Sequence, residues 1–249
     1  QDMSSNKSTL QSIANSDDIV ILLDKNFFES GRYEKLFSYE TRPEINSFRA
    51  ENSVREGFIN NFIAALSGNY PFEISSNYKK ILEIEKVNQV IGVINLNIDG
   101  LLRQNGAQKL IELEGNISWF YCSNCGMDKE TESIINSKDN YICNGCNDNV
   151  LKPSIPFLGQ EFSQWDLKDS WMVLNKCQNL VIFSDTFLSP VTISFIDIVS
   201  QRSKKTFIVS NKLLDDSMLK FPEGETHFIT TGVDSALDLM MDIFGNKLI

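Results

Sequence analysis

Four cysteines form two short pairs, Cys122-x-x-Cys125 and Cys143-x-x-Cys146, with seventeen residues between the pairs. This spacing is typical of a ribbon-like module in which four thiolates bind zinc. Four protein ligands fill the tetrahedral shell, so the zinc would stabilise the fold without catalysing a reaction. Two disulfide bonds are the alternative in an oxidising compartment. Cys177 is predicted to be a buried core thiol.

Two further polar residues, Asn97 and Asp99, follow an apolar run at 90–94. Amide and carboxylate groups at such a position could bind a ligand. Both residue types also cap helices, and a short helix is expected to begin near Gly100. Capping is the favoured interpretation, since it requires no ligand.

These residues need a scaffold, and the apolar pattern of the chain predicts one. Runs with the length and composition of strands buried on both faces of a sheet occur at 18–23, 90–94, 179–184, 206–210 and 227–230. Helical patterns lie between them, at 53–66, 77–86, 165–176, 191–202 and 233–244. This alternation predicts an α/β fold with a Rossmann-like parallel sheet and helices on both faces.

The segment 119–151 interrupts the alternation and is rich in Cys, Asn, Asp and Gly. It is predicted to be a small inserted zinc-ribbon module. The first half of the sheet would then occupy 1–118, with a reduced helical insert at about 37–87, and the second half 152–249.

Composition narrows the classes of function. With 249 residues and 42% hydrophobic residues, the chain can form one globular domain with a small appended module. A formal charge of -10 would repel a phosphate backbone, so no nucleic-acid partner is expected. No apolar run approaches the roughly 20 residues of a transmembrane helix. Membrane association is therefore expected only peripherally, through partners.

The segments 93–101 and 111–116, together with the cysteine pairs, resemble the centre of a sirtuin, an NAD-dependent protein deacylase. In that family the strand after the Asn-Ile-Asp loop reads Leu-His-Gly, and its His is the general base that activates a ribose hydroxyl of NAD. Glu114 occupies that position here, and the single His of the chain, His227, lies far downstream. The resemblance implies the sirtuin fold with structural zinc, and no catalytic residue is expected.

The glycine-rich NAD loop of sirtuins aligns with residues 23–27, which contain no glycine. Asp24 would repel a diphosphate, and Phe27 would fill space needed by the nicotinamide ribose. NAD is therefore not expected to bind. The family's NAD-contacting residues would survive only as remnants at Ser30, Gly31, Asn97 and Asp99.

Two more parts of the resemblance depart from the family. Phe183 stands where a glycine would admit NAD. The edge of the acyl-lysine groove aligns with residues 152–160, where Pro156 has no N–H to donate to a substrate strand.

The leading hypothesis is a catalytically inactive sirtuin-like pseudoenzyme that serves as a structural or accessory subunit of a larger protein assembly, for example a mitochondrial complex. A start at Gln1 would fit a removed import sequence, so an intracellular and preferably mitochondrial location is expected, with nucleus or cytoplasm as alternatives. The alternative function is a divergent NAD-consuming enzyme (an NAD hydrolase, ADP-ribosyl transferase or deacylase) that uses Glu114. A third is a peptide-binding adaptor with a groove near Phe157 and Gly159.

Overall fold

The centre of the fold is a six-stranded parallel sheet. The computed structural model describes residues 3–25, 27, 38–137, 141–146, 150–184, 188–211 and 226–245. With strands numbered in chain order, the sheet runs β3 (Leu110–Glu112), β2 (Val90–Asn95), β1 (Ile19–Leu23), β7 (Asn179–Ser184), β8 (Lys205–Ser210) and β9 (Thr226–Ile229). Every residue of β1 and β7 is buried, because helices cover both faces of the sheet.

Three helices cover one face of the sheet: α1 (Met3–Ala14), α4 (Ser76–Glu85) and α9 (Val233–Gly245). Their apolar side chains share one core with alternate residues of the strands. On the opposite face lie α7 (Gln164–Lys176) and α8 (Pro190–Ser200), which share a second core with the other set of strand residues. This two-sided arrangement follows from the period-two alternation of side chains along a strand.

A third core joins the inserted module to the helical insert. The module contains a sheet ordered β5 (Asp128–Glu130), β4 (Asn116–Tyr121) and β6 (Lys152–Ser154), with α6 (Thr131–Asn136) beside it. The insert contains a 3-10 helix (Tyr39–Thr41), α2 (Ile45–Ala50) and α3 (Asn52–Leu66). A short helix, α5 (Leu101–Gln104), follows β2.

The predicted parallel α/β fold is confirmed, and each predicted strand and helix is present within a few residues of its expected bounds. Two elements of the main sheet and its covering helices were missed. β3 has only three residues, too few to show an alternation. α1 is largely polar, and its buried apolar residues Leu10 and Ile13 are too few for a clear helical pattern. Cys177 is fully buried, as predicted, although it lies just after the end of α7.

Candidate functional site

The candidate site lies at the carboxyl edge of the parallel sheet. β1 lies between β2 and β7, and the order of the strands along the chain reverses between β1 and β7. Ligands of open α/β sheets bind at such a switch point. Asp24 directly follows β1, Asn97 follows β2, and Glu114 follows β3, so the topology brings distant parts of the sequence to one edge.

Glu114 lies at this edge of the sheet, and only 4% of its surface is exposed to solvent. Its Oε1 lies 2.8 Å from Nζ of Lys25, and its Oε2 lies 3.9 Å from Nη2 of Arg42. The next residue, Gly115, has φ 67°, and a Cβ there would clash with the carbonyl oxygen of Ser154. A glycine is thus required directly after Glu114, and this turn sets the position of the carboxylate.

The two cations that face Glu114 have different surroundings. Arg42 is buried, and its Nη1 donates a hydrogen bond of 2.9 Å to the carbonyl oxygen of Pro156. Burial lowers the pKa of Arg42, while the charge of Glu114 acts in the opposite direction. The side chain of Lys25 is 42% exposed. The carboxylate therefore contacts one fixed cation and one that can move into solvent.

Asn97 and Asp99 are buried, and each makes hydrogen bonds within the chain. Nδ2 of Asn97 donates to the carbonyl oxygen of Asp24 at 2.9 Å, which links the ends of β1 and β2. Asp99 accepts from the backbone N–H of Leu101, the first residue of α5, at 2.8 Å, and from the hydroxyl of Tyr78 at 2.6 Å. The N-cap residue of α5 is Gly100, so the capping role predicted for Asn97 is not seen. Burial raises the pKa of Asp99 to about 6, although both hydrogen bonds act to lower it.

Asp24 contacts the start of α8. Its Oδ2 accepts a hydrogen bond of 3.0 Å from the backbone N–H of Ser189, and its Oδ1 accepts one of 2.8 Å from the backbone N–H of Lys25. Burial raises its pKa, and these hydrogen bonds oppose the increase. The charge predicted at this place is present, but it is turned towards the protein backbone.

The two phenylalanines predicted to fill the NAD site are packed in the core. Phe27 and Phe183 have ring centroids 6.1 Å apart, and Phe27 lies 5.4 Å from the ring of Tyr78. Phe183 is fully buried and Phe27 is 8% exposed. Since their bulk belongs to the core that includes α4 and α9, the steric argument against a nucleotide is weaker than the sequence suggested.

The segment aligned with the acyl-lysine groove pairs with residues of its own chain. Leu158 donates to the carbonyl oxygen of Pro43 at 3.1 Å and accepts from the backbone N–H of Ile45 at 3.0 Å. The N–H of Phe157 donates to Oε1 of Gln160, and its carbonyl oxygen accepts from the N–H of Gln160, both at 2.9 Å. At Phe157 and Leu158 the backbone groups that could pair with an added strand are already used.

Lys152 lies buried at the base of this segment. Its Nζ donates to the carbonyl oxygens of Pro153 and Ile155 at 3.0 and 2.7 Å, and lies 4.3 Å from the ring centre of Phe157. Burial lowers the pKa of Lys152 to about 7, and the charge of Arg42 lowers it further.

The cysteine pairs meet in the inserted module. The sulfur atoms of Cys122, Cys125, Cys143 and Cys146 all lie within 4.8 Å of one another, an arrangement that could hold a metal ion. All four are free thiols, so the disulfide alternative is not present among the described residues. Four thiolates at these distances suit the tetrahedral coordination of zinc.

Within the described ranges, none of the helices combines the length and the apolar character needed to span a bilayer.

Residues 25–187 match the family model described as the Sir2 family. A NAD-dependent protein deacetylase of Listeria monocytogenes is 30% identical over 132 residues, which cover 53% of this chain and 54% of the relative. Its counterpart in Thermotoga maritima is 28% identical over 134 residues, with the same coverage of 53% and 54%. The matched region thus spans about half the length of these relatives. Because the family match covers more than half of the chain, the chain belongs to the Sir2 family.

Structural comparison supports the same fold. A structure described as "Structural Basis for the Mechanism and Regulation of Sir2 Enzymes" superimposes with a TM-score of 0.75 over 98% of this chain and 99% of its own, at 16% identity.

The expectation that this chain is not an enzyme is wrong, because the relatives that it matches are named NAD-dependent protein deacetylases. Single residues that differ from the family do not establish inactivity, because the sequence does not show which groups those residues contact in the folded chain. The same relatives weaken the expectation that NAD is not used. An accessory role in an assembly and a mitochondrial location gain no support from these comparisons and stay predictions.

Of the remnants that the resemblance implies, Asn97 and Asp99 lie at the carboxyl edge and are hydrogen-bonded to other groups of the chain. The remnants Ser30 and Gly31 lie outside the described residues.

Lys25 and Arg42 are the site residues that sequence reasoning missed. Lys25 was noted only as part of a lost glycine loop, and Arg42 lies in the helical insert, the region with the poorest resemblance. No local pattern could reveal either contact, because both depend on segments that approach Glu114 only in the folded chain.

Proposed function

We propose that this chain is an NAD-consuming enzyme that cleaves the bond between nicotinamide and ribose and transfers the ADP-ribosyl group to an acceptor, with Glu114 as the catalytic carboxylate. The observation that carries the proposal is the position of Glu114. Its carboxylate is buried, lies at the carboxyl edge of the sheet and faces two cations. The family resemblance aligns Glu114 with the His of sirtuins, which supports a catalytic role.

NAD, when bound, supplies an ADP-ribosyl group with nicotinamide as its leaving group. Positive charge develops on a sugar ring when such a bond breaks, and an oriented carboxylate stabilises that charge. Glu114 can also accept a proton from a ribose hydroxyl or from the acceptor. A carboxylate suits the first of these two tasks better than a neutral imidazole does.

Arg42 and Lys25 both bind the Glu114 carboxylate, but they have different roles. Arg42 is a positioning residue, because its guanidinium is buried and also bound to the carbonyl oxygen of Pro156. Lys25 is the exchangeable partner, because its exposed ammonium can leave Oε1 when a ribose hydroxyl approaches. Glu114 would then gain a substrate contact without leaving a buried charge unpaired.

Water is the favoured acceptor. At Phe157 and Leu158, backbone groups that would pair with an extended acyl-lysine peptide are bonded to Gln160, Pro43 and Ile45. Deacylation is the second candidate, because the relatives are named deacetylases. Deacylation would begin with the same cleavage of the bond between nicotinamide and ribose, and an acyl group would then accept the ADP-ribosyl group.

A structural zinc ion completes the proposal. The thiolates of Cys122, Cys125, Cys143 and Cys146 would hold it, and it would stabilise the inserted module without taking part in the reaction.

The test is release of nicotinamide from NAD, followed by chromatography. Glu114→Gln should lower the rate by about 10²–10³-fold, because the charge is lost while the shape is kept. Glu112→Gln is the matched control: Glu112 is equally buried and ion-paired with Arg103, and the proposal gives it no catalytic role. A wild-type protein that releases no nicotinamide, or a Glu114→Gln variant as fast as wild type, would refute the proposal.

An acetylated peptide separates the two acceptors. If water is the acceptor, nicotinamide release does not depend on the peptide, and ADP-ribose accumulates. Release that requires the peptide and yields its deacetylated form would instead identify a deacylase.

A further inference from the structure

The solvent-facing side of α7 carries large apolar side chains. Trp165 is 76% exposed, Met172 is 50% exposed and Trp171 is 45% exposed. Trp165 and Met172 are seven residues apart, so they lie on one side of the helix, and Trp171 lies on the flank of that side. Exposed apolar side chains that stand together are typical of a surface where another molecule binds.

The neighbouring helix shows that the fold does not impose this exposure. α8 covers the same face of the sheet, and its exposed positions hold Pro190, Ser194 and Asp197. α7 is fixed to the sheet by other residues, among them the buried Leu174. Packing within the chain therefore does not account for the exposed ring of Trp165.

Two lysines lie on the same side of α7 as the apolar side chains. Lys168 and Lys176 follow Trp165 by three and eleven residues, and with Met172 they form one stripe along the helix. Nζ of Lys168 lies 5.7 Å from the ring centre of Trp165. Among the ion pairs of the described residues none includes either lysine, so both ammonium groups can pair with carboxylates of a partner.

The charge of the stripe differs in sign from that of the whole chain. Asp166 and Asp169, the acidic residues of α7, lie on the flank opposite Trp171, so positive charge predominates on the Trp171 side. The chain has a formal charge of -10, which would repel an anionic membrane or a long polyanion. A short segment with a few carboxylates would interact chiefly with the nearby lysines, because salt screens charges more than about 10 Å away.

We propose that the α7 surface, formed by Trp165, Lys168, Trp171, Met172 and Lys176, binds an amphipathic helix of another protein in which carboxylates flank the apolar side chains. The apolar residues of that helix would cover the tryptophans and the methionine, which are residue types enriched at protein interfaces. Its carboxylates would pair with the two lysines. A helix suits the stripe, because contacts spaced every three or four residues match the repeat of a second helix lying along it. The proposal does not depend on the proposed catalysis.

The test uses two synthetic helical peptides with leucine at the same positions along one face. One peptide has glutamate beside the leucines, and its twin has lysine there. At physiological salt the protein should bind the glutamate peptide about tenfold more tightly than the lysine peptide. Tryptophan emission measures the binding, since it should shift to shorter wavelength as Trp165 and Trp171 lose contact with water.

The net charge of the chain favours the opposite order of affinities, so a preference for the glutamate peptide would have to come from local cations. Binding of neither peptide, or binding of the lysine peptide at least as tight as that of the glutamate peptide, would overturn the proposal.

Removal of one aromatic ring locates the binding. Trp165→Ala should weaken binding of the glutamate peptide by about tenfold or more, because tryptophan is frequent among the residues that dominate binding energy. The variant should fold normally, since Trp165 is largely outside the core. Trp119→Ala is the matched control, because Trp119 is exposed in β4 of the inserted module. An equal loss in both variants would place the binding elsewhere and refute the proposal.

Reversal of one charge tests the pairing. Lys168→Glu should weaken the glutamate peptide and strengthen the lysine peptide, each by about fivefold. Lys79→Glu changes the net charge equally, but Lys79 is exposed on α4, which covers the opposite face of the sheet, so both affinities should stay within about twofold of wild type. An unchanged preference in Lys168→Glu would contradict the proposal.

Other classes of partner are tested with the same emission signal. Vesicles that contain phosphatidylglycerol represent an anionic membrane, and a single-stranded oligonucleotide represents nucleic acid. Both should bind more weakly than the glutamate peptide, and tighter binding of either one would refute a protein helix as the partner.

Discussion

The cysteine module and the carboxyl edge of the parallel sheet hold their polar groups in place by different means. In the module, four side chains of one type come from two short pairs, and their spacing alone indicates zinc. At the carboxyl edge, Glu114, Lys25 and Arg42 come from separate segments and balance one another. A metal site requires particular residue types. An ion-paired site tolerates other residue types as long as its charges are balanced and its hydrogen bonds are formed.

Removal of the metal should have the largest effect. Cys122→Ala should abolish stoichiometric zinc and destabilise the module strongly, because zinc binding to four thiolates contributes on the order of 10 kcal/mol. Cys122 and Cys143 also belong to the core that includes α2 and α3, so the helical insert should loosen as well. Zinc content and thermal unfolding measure this.

Cys177→Ala is the control, because Cys177 is buried outside the cluster. It should retain one zinc ion per chain. Full zinc binding by Cys122→Ala would show that the four thiols are not one site.

Lys152 should make the folded state more stable as the pH rises. Its folded pKa is about 7, below the ordinary value, so above pH 7 the unfolded chain holds a proton that the folded chain has lost. Stability contributed by this group therefore increases from about pH 7 towards pH 10, by several kcal/mol at most.

Urea unfolding at pH 7 and pH 9 of wild type and Lys152→Met checks this. The wild type should gain more stability between the two pH values than the variant does. Equal gains would exclude a depressed pKa at Lys152.

Asp99, at the carboxyl edge, should make the folded state less stable as the pH rises. Its folded pKa is about 6, above the ordinary value of an aspartate. Between about pH 4 and pH 6 the folded chain holds a proton that the unfolded chain has lost, so the contribution of Asp99 to stability falls as the pH rises, by about 3 kcal/mol at most.

Asp99→Asn keeps the acceptor for the Leu101 N–H and removes the titration. The stability of wild type relative to this variant should fall between pH 4.5 and pH 7 in urea unfolding. A constant difference over that range would contradict the raised pKa.

Lys25→Gln should have the smallest effect on stability, about 1 kcal/mol, because the ammonium of Lys25 is partly in solvent and the buried Glu114 carboxylate keeps Arg42 as a partner. The same variant should change the rate of nicotinamide release. A large loss of stability would mean that Lys25 is as firmly built into the fold as Arg42, and the distinction between a fixed and an exchangeable cation would be lost.

Sequence patterns predicted most of the scaffold. The apolar runs of β1, β7 and β8 and the helices between them are strong local signals, since a strand buried on both faces is almost wholly apolar. The family resemblance also located Glu114. The short β3 and the polar α1 were not predicted, because tertiary packing stabilises them and their local sequence patterns are weak.

The sequence by itself determined the order of strands and helices and the four thiols, and through the family resemblance it predicted that Glu114 stands at the position of the family His. Only the tertiary structure decided what surrounds that carboxylate. It placed Lys25 and Arg42 against Glu114, packed Phe27 and Phe183 into the core, and turned Asp24 onto the start of α8. Spacing along the chain defines a site whose residues are near in sequence, whereas contacts between distant segments depend on which strands lie side by side.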